Sequence, residues 1–78
     1  MKMEHNIYLI EATKRAEQPY DSYDSHVVIA DKPGEVRKMC PSADEGEEVW
    51  LQSAYSTIKK VGESDLKKQV ILSSFNAG

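Results

Sequence analysis

Between Tyr20 and His26 the chain reads Tyr-Asp-Ser-Tyr-Asp-Ser-His, which places phenols, carboxylates, hydroxyls and an imidazole in one short segment. Asp21, Asp24 and His26 have the donor types of a metal site. An EF-hand loop, however, needs oxygen ligands at alternating positions, a glycine at its sixth position and a distal glutamate, and that register is missing. His5 and His26 lie far apart in sequence and Cys40 is the lone cysteine, so no zinc-ligand pair forms either. Ser22, Ser25, Ser42 and Ser53 are hydroxyl nucleophiles by type alone. None sits in a nucleophile elbow, and Ser25, the one beside a histidine, would point to the opposite face of a strand from it. Asp21 and Asp24 have nothing in sequence that would shift their pKa values predictably. There is no glycine loop for phosphate. These residues assign no catalytic or metal-binding role, and a non-enzymatic protein without a cofactor is expected.

Charge and aromatic placement say more. Residues 16–50 hold nine acidic side chains (Glu17, Asp21, Asp24, Asp31, Glu35, Asp44, Glu45, Glu47 and Glu48) against three basic ones. The remainder of the chain carries a balance of +3 within a net charge of −3. Such a field favours a partner of opposite sign, or else keeps a solvated loop in solution. Tyr20 and Tyr23, set among Asp21 and Asp24, would suit a groove lined by Arg or Lys. The other reading extends the following strand backwards, with Tyr20 or Tyr23 tucked onto the core.

The elements that must position these residues follow from pattern. Seventy-eight residues make one thin-cored domain, 40% hydrophobic and 29% charged, which is ordinary for a globular protein. Apolar runs such as Val27–Ala30 are far too short to span a bilayer, and the N-terminus lacks a signal-peptide hydrophobic region, so an intracellular protein is expected. Cys40 has no disulfide partner and reads as a partly buried small hydrophobe rather than a reactive thiol. Asn6–Thr13 predicts a central strand, Lys14–Ser25 a long connection, and His26–Ala30 a second strand antiparallel to the first. Asp31 as N-cap and Pro33 in the first turn open a short helix whose stripe is Val36, Met39 and Cys40, and Pro41 ends it. Pro41–Trp50 is an acidic connection, with Trp50 packed on the core or standing exposed as a binding anchor. Ala54–Gly62 and Gln69–Phe75 predict a third and fourth strand joined as a hairpin. The expected fold is α+β, with four antiparallel strands and one helix in the order strand-strand-helix-strand-strand.

The segments "YLIEAT" and "YDSYDSHVVIA", the helix ending at Cys40-Pro41 and the terminal "VILSSFNAG" together resemble a set of small phage and prophage proteins. These share a Tyr-Asp-x-Tyr-Asp-Ser segment leading into a valine-rich strand and an ending close to Ser-Phe-Asn-Ala-Gly. The likeness touches most of the chain, and its sharpest parts are the tyrosine–aspartate segment and Ser74–Gly78. It implies an accessory protein of a phage or mobile element, acting in the cytoplasm of the host bacterium. Inhibitors of CRISPR immunity are the first group to consider, because an acidic patch can compete, as a mimic of nucleic acid, for a positively charged channel. The expected partner-binding face comprises Glu17, Tyr20, Asp21, Tyr23, Asp24, Asp44, Glu45, Glu47 and Glu48, on a monomer or weak dimer. The alternatives are a nucleic-acid-binding accessory protein using Lys14, Arg15, Lys59, Lys60, Lys67 and Lys68 with Tyr55, or a phage structural or assembly protein.

Overall fold

A computed structural model of the protein describes residues 3–13, 22–43 and 46–76, with residues 75 and 76 described through their backbone alone. The elements run β1 (His5–Ala12), β2 (Ser22–Ala30), α1 (Pro33–Met39), α2 (Glu48–Leu51), β3 (Ser56–Ser64) and β4 (Gln69–Asn76). The strands form one antiparallel sheet in the order β3-β1-β2-β4.

The central pair is β1 and β2, whose register sets Tyr8 opposite Val28, Ile10 opposite His26 and Asn6 opposite Ala30. Side chains alternate along a strand, so these residues share one face. That face receives both helices. Tyr8, Ile10, Val28 and Ala30 form the core with Val36 of α1 and with Val49 and Trp50 of α2. The opposite face carries Ile7, Leu9, Val27 and Ile29. Ile29 is fully buried there, away from the helix-side cluster. Apolar residues on both faces are what a central strand requires, and they explain why β1 and β2 read as nearly continuous hydrophobic runs.

The coarse expectation holds: an α+β domain with a four-stranded antiparallel sheet. Its finer points need correction. The third and fourth strands do not form a hairpin. β3 pairs with β1 and β4 with β2, so the two lie on opposite edges, and residues 65–68 carry the chain across the end of the sheet. The apolar central pair had two edges to satisfy, and its pairing with both later strands outweighs the usual preference of sequential strands for one another.

A second helix, α2, occupies part of the expected acidic connection. Four residues are too few to sustain a helix by themselves. Burial of Val49 and Trp50 holds it in place, each such side chain contributing about 1.5–3 kcal/mol. Gly46, at φ +83, makes the turn into it, a conformation that costs other residues about 1–2 kcal/mol. β2 begins at Ser22, four residues before the expected start at His26, and β3 runs on to Ser64.

The N-cap of α1 is Lys32, with no side-chain cap bond, rather than Asp31. The capping function is served from the other side, where the Glu35 carboxylate accepts from the Asp31 backbone N–H at 3.0 Å. Among the described residues no helix is long and apolar enough to cross a membrane.

Candidate functional site

Three rings in contact form the centre of the helix-side face. His26, 1% exposed, lies between Tyr23 of its own strand (ring centroids 4.9 Å apart) and Trp50 of α2 (4.6 Å, planes at 70°). Its Nδ1 is 2.6 Å from Ser73 Oγ on β4, whose backbone is its register partner. A buried imidazole needs hydrogen-bonding company, and Ser73 supplies it across the strand pair. Pattern reasoning tested His26 against Ser25, its neighbour in sequence. Ser25 instead pairs with Ser74, and it is Ser73 that meets the ring. The signal lay in the alternation His26, Val28, Ala30, which marks His26 as a core position.

The ring contacts join two acidic segments. Asp24 lies at a β-bulge in β2, where the register steps from Tyr23 to Ser25 over a single residue of β4. Glu47 and Glu48, both exposed, precede and open α2, whose Trp50 packs on His26. Of the two readings for the tyrosines, Tyr23 is half-buried and packs against the core. Trp50, 1% exposed, is a core residue and not an exposed anchor. Glu17, Tyr20, Asp21, Asp44 and Glu45 lie outside the described residues.

A hydrogen-bonded strut, invisible to pattern reading, supports α2. Arg37 of α1 donates through Nη1 to the Trp50 carbonyl (3.0 Å) and to Ser56 Oγ (2.7 Å), and through Nη2 to the Ser56 carbonyl (3.1 Å). The planar guanidinium thereby ties α1, α2 and the start of β3 together. Arg37 lies off the apolar stripe of Val36, Met39 and Cys40, and its spacing gave no sign of this role. Nearby, the half-buried Cys40 thiol donates to the Val36 carbonyl at 3.2 Å, and burial pushes its pKa up to about 12 despite the adjacent Arg37 charge.

Charges at the other end of the sheet are mutually paired. The Asp31 carboxylate meets His5 Nδ1 at 2.5 Å and Lys68 Nζ at 3.6 Å, and Lys68 also lies 3.4 Å from Glu35. The His5 hydrogen bond holds the Asp31 pKa below its ordinary value, with help from Lys68. The Asp31 backbone N–H does the same for Glu35, again with help from Lys68. Glu35 and Lys68, with Lys38 and Met39, line an open groove of about 350 Å³ beside α1.

These pairings bear on the proposed basic cluster. Lys68 is held by two acids and Lys60 by Glu63 at 3.0 Å. Lys59 and Lys60 stand opposite Leu9 and Tyr8, which places them on different faces of the sheet. Tyr55 is exposed just ahead of β3 and Lys67 is exposed in the connection, while Lys14 and Arg15 lie outside the described residues. Among the described residues, no group of three or more metal-ligating side chains converges. Compared with known proteins, the chain matches no family model, no curated protein and no solved structure.

Proposed function

We propose that the protein is a non-enzymatic inhibitor of phage or mobile-element origin. In this reading it docks through its acidic side on the nucleic-acid-binding surface of a host defence protein, a CRISPR effector subunit being the first candidate. The observation that carries the reading is the ring contact chain Tyr23–His26–Trp50, which fixes the strand segment bearing Asp24 against the helix bearing Glu47 and Glu48. Carboxylates held on ordered elements lose less entropy on binding than a floppy tail does, so even a modest acidic patch can compete for a basic channel. Glu17, Tyr20, Asp21, Asp44 and Glu45 complete the partner-binding set expected from sequence and lie outside the described residues. The phage-protein resemblance supplies the setting. Neutralisation of Lys60 and Lys68 within the fold favours this reading over nucleic-acid binding by a basic face.

The test is capture of host proteins by the full chain from nuclease-treated lysate at low and high salt, alongside the triple variant Asp24→Lys, Glu47→Lys, Glu48→Lys. The expected result is a basic nucleic-acid-binding defence protein, weakened by salt and lost with the triple variant. Undiminished capture by a folded triple variant overturns the assignment of the surface. Recovery of nucleic acid alone, lost on nuclease treatment, overturns the function.

A further inference from the structure

The two edges of the sheet are built differently. β3 carries Lys59, Lys60 and Glu63, and its pairing with β1 is interrupted at Val61, where Gly62 and Lys60 meet consecutive β1 residues. Charges and bulges of this kind discourage another strand from adding to an edge. β4, Gln-Val-Ile-Leu-Ser-Ser-Phe-Asn, contains no charged residue, no proline and no glycine. It has one irregularity, at Ile71, after which every residue from Leu72 to Asn76 takes a β2 partner in turn, with the bulge of Asp24 on the β2 side. Among the described residues no strand lies outside it.

The apolar band of the helix-free face also ends at this edge. Ile7, Leu9, Val27 and Ile29 lead across the sheet to Leu72, the register partner of Val27, which is 65% exposed. Ile71 beside it is 44% exposed.

We infer that β4 is the site at which two copies of this chain pair, antiparallel about a two-fold axis, extending the sheet to eight strands. The identity of the occupant follows from charge. In a two-fold pairing each side chain meets one from the same short segment, so charged residues must be matched against one another in a particular register. β4 is free of that constraint, and β3, with Lys59, Lys60 and Glu63, is not. A charged peptide finds no complementary side chain on β4, whereas a second Leu72 continues the apolar band. The eight residues of β4 span about 27 Å at one strand's width, a small contact beside the roughly 800 Å² per partner of a standard interface. The dimer therefore exchanges with monomer and is governed by concentration.

The test is sedimentation of the full chain across a wide concentration range, with hydrogen exchange read on the β4 amides. The average mass is expected to rise from 8.8 kDa toward twice that value, with β4 amides gaining protection as concentration increases. Leu72→Lys and Ser74→Lys, both at exposed positions, are each expected to weaken dimerisation at least about tenfold. Lys59→Glu on the opposite edge should leave it unchanged. Ser74→Lys keeps the test decisive if Leu72→Lys fails to fold. A monomer at every concentration overturns the inference, as does a dimer indifferent to Ser74→Lys.

Discussion

The imidazole of His26 meets the indole of Trp50 edge to face, with ring centroids 4.6 Å apart, and this contact joins β2 to the four-residue helix α2. Truncating the indole removes α2's main anchor. Trp50→Ala is expected to cost about 3–5 kcal/mol, comparable with the entire stability of a domain this small, about 4–12 kcal/mol. Urea unfolding followed by circular dichroism should show a midpoint far below that of the parent. A midpoint within error of the parent would refute the anchoring role.

Arg37 bridges three acceptors, the Trp50 carbonyl and both the hydroxyl and the carbonyl of Ser56, whose side chain is buried. Lysine reaches as far but lacks the planar fork, so Arg37→Lys leaves at least one acceptor unpaired and should destabilise by about 1–3 kcal/mol. Ser56→Ala in the Arg37→Lys background should cost less than it does in the parent, because the two residues share a bond. Strict additivity in a double-mutant cycle would show that the strut carries no coupling.

Acid should loosen the end of the sheet. Asp31 and Glu35 have folded pKa values below their ordinary 3.8 and 4.5, so near those values the unfolded chain binds more protons. Their contribution is present above the unfolded values and is lost as pH falls through the folded ones. Carboxyl NMR should place the Asp31 titration below 3.8, moving back toward it in His5→Gln and, to a smaller degree, in Lys68→Met. An Asp31 midpoint indifferent to His5→Gln would remove the hydrogen bond as its cause.

With its pKa raised to about 12, Cys40 holds almost no thiolate at pH 8. A disulfide reagent should therefore react with the native protein far more slowly than with a free thiol, and the rate should climb through the urea transition. Fast labelling of the folded chain would contradict the burial.

The sheet's central pair was legible because Ile7–Ile10 and Val27–Ala30 are apolar on both faces, a pattern that few other structures accommodate. Pro33 and Pro41 likewise bracketed α1. The edges were not legible. Nothing in Ser56–Ser64 or Gln69–Asn76 names its partner, and a short connection between two strands ordinarily signals a hairpin. α2 escaped notice because its helicity comes from where Trp50 and Val49 are buried rather than from any helical period. The residues of the candidate site divide in the same way. Asp24, Glu47 and Glu48 were picked out by charge, whereas Arg37, Ser56 and Ser73 gain their roles from distant parts of the chain. Local pattern carries no trace of such pairings.

Because residues 65–68 send the chain from one edge of the sheet to the other, each of the last two strands pairs with a strand far back in the chain rather than with its neighbour. Folding then waits on contacts between the ends of the chain, which slows it relative to a meander of the same length. During synthesis, the N-terminal hairpin stands with both flanks bare until the C-terminal strands emerge. The apolar central pair is thus most open to aggregation before β3 and β4 have paired with its two flanks.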